Sequence, residues 1–236
     1  MPRRKAVKKE FAGTVTAVKA RIRLLRSFDQ ISHAYLGYTL VLDGTLRGAE
    51  HEDLRIAVGP KTHEKHGFRI GDKVEGFAVP VPDPGLEWAT HYKVSGLCLT
   101  ERGPAVQDVP ANPDGGIAPP LPQYRAGGRR RLDRRTYQRG CQKCPLGLVM
   151  ATEITIDQWK PERKDWRFET HCYGPRDCPR YRAGKPYRVQ GRKPWMVWVD
   201  DDVEREKANE EWMRRWRSEH PPMPEGPSSL DPVSEE

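Results

Sequence analysis

The sequence lacks the apolar material of a membrane protein or of a large buried core. It contains no run of about 18 apolar residues, the length that a membrane-spanning helix needs. Residues 1–5 also lack the apolar stretch of a secretory signal. Hydrophobic residues make up 36% of the chain and charged residues 31%, so we expect small cores that need support beyond apolar burial. These absences predict a cytoplasmic protein with no membrane partner.

The sequence also lacks the common motifs of enzyme active sites. It has no glycine-rich phosphate-binding loop, no Gly-x-Ser-x-Gly nucleophile turn and no paired-histidine zinc motif. His63 and His66, with Glu64 between them, could ligate a metal, but in so polar a segment this pattern is more typical of surface residues. We therefore predict that the protein is not an enzyme.

Charge is distributed unevenly along the chain. Residues 200–236 contain 12 acidic and 5 basic residues, which leaves 36 basic and 21 acidic residues in positions 1–199. A body with this excess of positive charge attracts polyanions and binds phosphates through counterion release. The distribution predicts a nucleic-acid partner, either RNA or single-stranded DNA, against the alternative of a merely solvated basic surface.

Five segments in the first half of the chain have the alternating or β-branched character of strands. A short polar interruption at residues 59–67 separates the third segment from the fourth and has room for a turn or two of helix. The predicted strands are residues 11–25, 34–42, 54–58, 68–79 (which includes an entry turn) and 91–99.

This order of three strands, a short helix and two strands resembles the OB-fold, a five-stranded Greek-key barrel. The long first strand and the Gly-Asp-Lys-Val turn at residues 71–74 carry the same resemblance, which covers about residues 10–100. It implies a binding face on the second and third strands. The basic and aromatic candidates for that face are Arg21, Arg23, Arg26, Tyr35, Tyr38, Arg55, His91, Tyr92 and Lys93. Tyr35 and Tyr38 have opposite parity along their strand, so at least one of them belongs to the core.

The cysteines follow a metal-binding pattern. Cys141 and Cys144 form a C-x2-C pair, whose sulfurs can face one ion from a single tight turn. Cys172 and Cys178 follow after 27 residues as a C-x5-C pair. In a reducing compartment, where disulfides are rare, we predict that these four residues hold one structural Zn²⁺. An iron–sulfur cluster is the alternative, and Cys98 is predicted to be a buried thiol in the barrel wall.

The segment between the cysteine pairs predicts a β-hairpin, with strands at residues 148–156 and 166–172. A hairpin returns its end to its beginning, so it brings the second pair back to the first. The period of a strand places His171 on the face opposite Cys172, and His171 is the substitute ligand if a cysteine fails. This succession resembles a zinc ribbon over about residues 139–182, although zinc ribbons usually repeat the two-residue spacing. Four thiolates leave no open metal position, which implies a structural role.

Arginine is concentrated beside the first cysteine pair, with seven in residues 124–139. Arginine binds phosphate through paired N–H groups and stacks on bases, and tyrosine adds a flat surface. The pattern continues after the second cysteine pair. The predicted nucleic-acid-binding residues are Tyr124, Arg125, Arg129, Arg130, Arg131, Arg134, Arg135, Tyr137, Arg139, Arg180, Tyr181, Arg182 and Arg188.

Prolines mark the boundary between two predicted domains, because the six in residues 103–122 exclude a helix or a central strand. The division is a basic disordered arm (1–9), an OB-like barrel (10–102), a Pro-rich linker (103–123), an Arg-rich connector with the zinc-ribbon-like module (124–199), a helix (200–219) and an acidic disordered tail (220–236). Residues 195–199 predict a last buried strand within the second domain.

The leading prediction is a mainly β, non-enzymatic, zinc-stabilised protein that binds RNA or single-stranded DNA. The C-terminal helix at residues 200–219 carries tryptophans four positions apart, so it could dock onto a protein partner. The second hypothesis is therefore an adaptor within a larger nucleoprotein assembly such as a ribosome, polymerase or defence complex. An accessory subunit of an enzyme is a third.

Overall fold

A computed structural model describes residues 7–27, 30–104 and 117–199, together with Arg215. Met1–Asp200 forms one compact unit and Asp201–Glu236 a second. The predicted acidic tail and most of the predicted basic arm lie outside the described residues. So does the predicted C-terminal helix, apart from Arg215, which is helical and exposed. No helix of the described residues is long and apolar enough to span a membrane.

The described part of the chain consists mainly of strands. The strands are β1 (Lys9–Arg26), β2 (Ile31–Leu46), β3 (Ala49–Val58), β4 (Lys73–Pro80), β5 (His91–Glu101), β6 (Arg130–Arg131), β7 (Gly147–Thr155), β8 (Lys164–Cys172), β9 (Arg188–Gln190) and β10 (Val197–Val199). The helices are α1 (Pro60–His66), α2 (Leu121–Gly127) and α3 (Arg134–Thr136), which continues as a π-helical segment, Tyr137–Cys141.

The first five strands close into a ring in the order β1-β2-β3-β5-β4, with β4 returning to β1. Every neighbour in the ring is antiparallel except β3 and β5, which run parallel and pair at Ile56 and His91. Apolar side chains of alternate residues fill the ring, among them Val15, Leu40 and Leu42. The predicted order of three strands, a short helix and two strands in a five-stranded closed sheet is confirmed.

Two glycines allow the ring to close at the point where β1 serves both β2 and β4. Gly13 faces Gly44 of β2 and pairs with Val74 of β4 on its other side. A Cβ added to Gly44 would lie 2.2 Å from the carbonyl oxygen of Ala12, and one added to Gly13 would lie 2.7 Å from that of Asp43. Backbone oxygens cannot move aside as a flexible side chain would, so the two strands approach this closely only without side chains.

Replacement of Gly44 by alanine is expected to lower the free energy of unfolding by about 1–3 kcal/mol, the usual range for overpacking. Urea denaturation of the full chain measures this change. Gly59→Ala is the matched control, because the nearest atom to its added Cβ is the Thr62 hydroxyl at 3.9 Å. Equal stability of the two variants would contradict the close approach of β1 and β2.

The second half of the chain extends the same sheet. β7 and β8 form the predicted antiparallel hairpin, in a register that pairs Gly147 with Cys172. β7 also runs parallel to the last four residues of β1, Arg23 to Arg26. The ring strands and the hairpin thus belong to one eight-stranded sheet. A second apolar core forms at this junction and contains Ile22 and Leu24 of β1 with Met150 of β7.

Several local predictions are corrected by the structure. Within the predicted linker, α2 begins at Leu121 and accommodates Pro122 in its first turn, where a missing N–H leaves no helical hydrogen bond unmade. Residues 105–116 of that linker lie outside the described part. Cys98 is exposed on β5, so it is not a buried thiol. The segment at residues 195–199 forms only the short strand β10, which pairs with β9 in a separate two-stranded sheet and is not buried.

The parity argument for the two tyrosines of β2 is confirmed, since Tyr38 is buried in the barrel core. His63 of α1 is also buried, and its ring lies 4.0 Å from that of Tyr38. Burial lowers the pKa of His63. The prediction of a surface histidine was therefore wrong at this position, because α1 packs against β2.

Candidate metal centre and nucleic-acid interface

Three of the four predicted cysteine ligands pack together in the structure. Cys141 ends the π-helical segment, Cys144 lies in the turn before β7, and Cys172 ends β8. These three share one buried cluster. Cys178 is half-buried and lies close enough for its charge to affect the pKa of both Cys141 and Cys172. The hairpin register is the cause, because it sets the end of β8 beside the start of β7.

Gly147 makes this arrangement possible. A Cβ at this position would lie 2.9 Å from the Cβ of Cys141 and 3.0 Å from its carbonyl oxygen. The turn from Cys141 to Gly147 therefore folds back on itself with no space for a side chain at its last residue. The turn closes with a hydrogen bond from the Gly147 N–H to the carbonyl oxygen of Cys144.

Burial and neighbouring sulfurs raise the pKa of two of the four cysteines, Cys141 and Cys172. Burial first, and then the neighbouring Cys144, Cys172 and Cys178, raise the pKa of Cys141 to about 11, while Lys19 opposes the rise. Burial likewise raises the pKa of Cys172, against the Gly174 N–H that donates to its Sγ at 3.3 Å. Both thiols therefore resist ionisation without a metal.

The donor set fits Zn²⁺, which binds thiolates tetrahedrally and displaces their protons. Backbone N–H donors to sulfur, such as that of Gly174, are the usual outer partners of such ligands. In the part of the chain that the structure describes, no group of three or more His, Cys, Asp or Glu side chains stands in the arrangement of a formed metal site.

His171 is engaged elsewhere, which corrects its prediction as a substitute ligand. Its side chain is fully buried, and its Nε2 lies 3.1 Å from Oε2 of Glu169. Burial lowers the pKa of His171, although the hydrogen bond to Glu169 opposes this effect. Adjacent residues of a strand face opposite ways, so His171 is directed away from the sulfur of Cys172.

Lys19, which the sequence motifs did not single out, holds the first cysteine turn through hydrogen bonds. Lys19 of β1 is 1% exposed, and its Nζ donates to the carbonyl oxygens of Cys141 (2.9 Å), Cys144 (2.5 Å) and Gly147 (2.8 Å). Burial lowers its pKa to about 7, against the opposing influence of Cys144 and Cys141. The sequence does carry a signal for this role, since Lys19 is the one charged residue in positions 11–20 of an otherwise uncharged strand segment.

Arg130 holds the second cysteine turn in the same way, through hydrogen bonds to backbone carbonyl oxygens. Arg130 of β6 is buried, and one of its terminal nitrogens donates to the carbonyl oxygens of Gly174 (2.8 Å) and Pro175 (2.7 Å). The same nitrogen lies 3.9 Å from the Sγ of Cys172. The guanidinium also stacks over the ring of Tyr181, 4.1 Å from its centroid.

A buried ionic network joins the barrel to the hairpin. Glu169 of β8 accepts a hydrogen bond from Nε of Arg167 at 2.8 Å and lies 3.8 Å from the Arg26 guanidinium of β1. Burial tends to raise the pKa of Glu169, but His171 and the two arginines outweigh it and hold that pKa below its ordinary value. The network fixes the end of β1 against β8, at the level where β1 and β7 pair.

His33 at the edge of this network makes stability depend on pH. Burial, followed by the positive charges of Arg129, His171 and Arg26, lowers its pKa to about 4. The unfolded chain binds a proton at His33 near pH 6.5, whereas the folded chain does not until about pH 4. His33 therefore contributes stability above pH 6.5 that is lost as the pH falls towards 4.

Replacement of His33 by glutamine is expected to remove this contribution. The stability difference between wild type and His33→Gln should shrink as the pH is lowered from 7 to 4, and urea denaturation at each pH measures it. His51→Gln, at an exposed position of β3, is the control. An unchanged difference across this range would contradict the expected effect.

The predicted nucleic-acid-binding residues divide into exposed and buried sets. The exposed residues are Arg125, Arg134, Arg135, Arg139, Arg182 and Arg188, and the partly exposed ones are Arg180 and Tyr181. The buried residues are Tyr124, Arg129, Arg130, Arg131 and Tyr137.

Burial removes the second set from any surface that a nucleic acid can reach, which corrects their prediction. Tyr124 packs edge-on against Tyr173 and donates to the carbonyl oxygen of Pro145 at 2.8 Å. Tyr137 packs in the cysteine cluster, and the ammonium of Lys19 lies 5.5 Å from its ring centroid. Both tyrosines therefore support the cysteine turns from inside.

The exposed arginines come from two segments that lie side by side. The N–H of Asp133 donates to the carbonyl oxygen of Arg182 at 2.9 Å, and Leu132 forms an antiparallel bridge with Ala183. The Arg180 guanidinium reaches the carbonyl oxygen of Gly140 at 3.5 Å. We define the basic surface as the exposed residues Arg134, Arg135, Arg139 and Arg182 with the partly exposed Arg180.

The predicted binding face of the barrel is largely occupied by contacts within the chain. Glu87, in the loop between β4 and β5, pairs with Arg21 at 2.5 Å and with Arg23 at 3.5 Å. In the same loop, Trp88 lies under the guanidinium of Arg55, 5.2 Å from its ring centroid.

Two further members of that face, Arg26 and His91, are buried. Tyr35 is half-buried, and Arg125 stacks over it at 4.8 Å. Tyr92 and Lys93 remain accessible beside a groove of about 370 Å³ between β3 and β5.

Comparison of the chain with protein-family models, curated proteins and solved structures gives no significant match. The function is therefore inferred from the cysteine cluster and the basic surface.

Proposed function

We propose that this is a non-enzymatic nucleic-acid-binding protein, stabilised by one structural Zn²⁺, that binds RNA or single-stranded DNA. The observation that carries this proposal is that the basic surface is assembled on the segments that hold the cysteines. Arg139 lies two residues before Cys141, and Arg180 lies two residues after Cys178. A metal that fixes the cysteine turns therefore also fixes the spacing of the arginines.

Cys141, Cys144, Cys172 and Cys178 would hold the zinc. The support is the burial of Cys141, Cys144 and Cys172 in one cluster, the effect of the other three cysteines on the pKa of Cys141, and the backbone N–H donor at Cys172. Four thiolates fill a tetrahedral site, so the metal would supply stability and leave no position for a substrate. The C-x2-C turn, the hairpin and the second cysteine pair resemble a zinc ribbon, and the five-stranded ring resembles an OB-fold.

Single-stranded nucleic acid is favoured as the partner because aromatic and basic residues are interspersed along the segment that carries Arg180 and Arg182. Residues 178–199 contain six arginines or lysines, four aromatic residues and no carboxylate side chain. Arginine binds phosphate through paired N–H groups, and aromatic rings stack on the unpaired bases of a single strand. A duplex would offer the arginines its phosphates but would keep its bases stacked on one another.

A second candidate function is that of an adaptor in a nucleoprotein assembly. Trp159, at the tip of the β7–β8 hairpin, is 83% exposed, and Trp195 is 73% exposed. Exposed tryptophans are enriched among the residues that dominate protein–protein binding. Affinity purification from a lysate, with and without nuclease treatment, separates the two functions, because an adaptor keeps its protein partners after nuclease digestion.

The experiment that tests the proposed function measures binding of a fluorescent 20-nucleotide single strand and of its duplex as a function of salt. For single strands, the logarithm of the affinity should fall with the logarithm of salt concentration by about 0.7 for each phosphate contact. The single strand should bind more tightly than the duplex at every salt concentration. An affinity that does not change between 50 and 200 mM salt would overturn the proposal.

A further inference from the structure

We propose that Lys19 and Arg130 are the built-in counter-charges of the metal centre, with Lys19 serving the first cysteine pair and Arg130 the second. This inference rests on the proposed zinc site and adds two residues to it that ligate nothing. It also makes the barrel, through Lys19, a part of the metal site.

The two cations hold the two cysteine turns by the same means. Lys19 directs all three of its N–H donors to carbonyl oxygens of the first turn, at Cys141, Cys144 and Gly147. Arg130 directs one terminal nitrogen to the carbonyl oxygens of Gly174 and Pro175 in the second turn.

Apart from the sulfur of Cys172, the hydrogen-bond acceptors of Lys19 and Arg130 are neutral carbonyl oxygens. Carbonyl oxygens satisfy the geometry of a buried cation but do not neutralise its charge. A buried charge without a nearby opposite charge is costly, by several kcal/mol in general. Negative charge on the neighbouring cysteine sulfurs would therefore stabilise Lys19 and Arg130 in their buried positions.

A loaded zinc site supplies that charge. Four thiolates around one Zn²⁺ carry a net charge of about −2, and one ammonium with one guanidinium supplies about the same positive charge. With four uncharged thiols in place of the metal complex, the two cations would have no ion-pair partner among the residues that the structure describes. The arrangement thus complements the metal-bound state better than the metal-free state.

Lys19 also connects the metal centre directly to the barrel through its hydrogen bonds. It lies in β1, where it pairs with Thr39 of β2, and Thr39 is fully buried. Its contacts to Cys141, Cys144 and Gly147 span more than 120 residues of sequence. Occupancy of the metal site should therefore change the stability of the barrel, and a substitution in β1 should change the affinity for the metal.

The test compares the zinc affinity of the full chain carrying Lys19→Met or Arg130→Gln with that of two control variants. Lys143→Met removes an exposed lysine from the first cysteine turn, and Arg163→Gln removes an exposed arginine from the turn of the β7–β8 hairpin. Zinc affinity is measured by competition with a chromophoric chelator. Loss of an outer partner of a metal ligand typically lowers affinity about 10- to 100-fold, so we expect that loss for the first two variants and less than about a threefold change for the controls.

A second readout is the rate at which a thiol-alkylating reagent releases zinc. Removal of a counter-charge leaves more electron density on the sulfurs, so release should be faster in Lys19→Met and Arg130→Gln than in the controls. Arg130→Lys keeps the charge and should restore most of the wild-type affinity and rate. If Lys19→Met does not fold, Arg130→Gln and Arg130→Lys give the same comparison at the edge of the sheet.

The outcomes separate the two proposals. A wild-type protein that binds no zinc overturns the zinc site itself. A wild-type protein that binds zinc, with Lys19→Met and Arg130→Gln indistinguishable from the controls, overturns the counter-charge role and leaves the zinc site standing.

Discussion

Replacement of Cys172 by serine is expected to abolish tight zinc binding and to lower the melting temperature by about 10 °C or more. Structural zinc contributes on the order of 10 kcal/mol in small modules, and for a chain of this size each kcal/mol shifts the melting temperature by about 2–4 °C. Cys172 is buried in the cysteine cluster and ends the strand that pairs with Gly147. Loss of its sulfur therefore affects both the metal and the hairpin.

Metal analysis of the purified protein and calorimetric unfolding, each with and without a chelator, measure the effect. Cys98→Ser is the matched control, because Cys98 is an exposed cysteine of β5 outside the cluster. Chelator should destabilise wild type and Cys98→Ser but leave Cys172→Ser unchanged. A Cys172→Ser protein that retains one tightly bound zinc would show that the four cysteines are not its ligands.

Replacement of Arg134, Arg135 and Arg182 by glutamine is expected to weaken binding of a single-stranded oligonucleotide by about 10- to 100-fold near 0.15 M salt. The three guanidinium groups are exposed and lie on the basic surface. If each binds one phosphate, the slope of log affinity against log salt should also become shallower by about 2, since a single strand releases roughly 0.7 counterion per contact.

The matched control removes the same charge from elements outside the basic surface. Arg47, Lys61 and Lys65 are exposed residues of the β2–β3 turn and of α1, and their joint replacement by glutamine lowers the net charge equally. This variant should lose less than about threefold in affinity. Equal losses in the two triple variants would indicate that binding depends on total charge and not on the basic surface.

The barrel strands could be predicted because alternation of apolar and polar residues reports directly which face of a strand is buried. The hairpin could be predicted because two strand-like segments, residues 148–156 and 166–172, flank a polar turn. The pairing of β1 with β7 could not. Periodicity shows that Ile22 and Leu24 face a core, but it does not show which strand forms the other edge, since strand edges are made of backbone.

The arginine run shows a second limit of sequence reasoning. Runs of basic residues are usually solvated, so Arg129, Arg130 and Arg131 were assigned to the surface with their neighbours. They are buried because their partners come from distant segments, such as the carbonyl oxygens of Gly174 and Pro175 that receive Arg130. Lys19 escaped notice for the same reason, because its partners lie more than 120 residues away.

The length of β1 has a consequence for anyone who wishes to divide this protein. Its first residues complete the ring with β4, and its last four pair with β7. Cleavage in the proline-rich stretch followed by separation of the fragments would therefore divide one sheet. It would expose Ile22 and Leu24 on one fragment and Met150 on the other. Each fragment should aggregate alone, and the two should recombine when mixed. The chain is therefore suited to split-protein complementation and not to transplantation of either half.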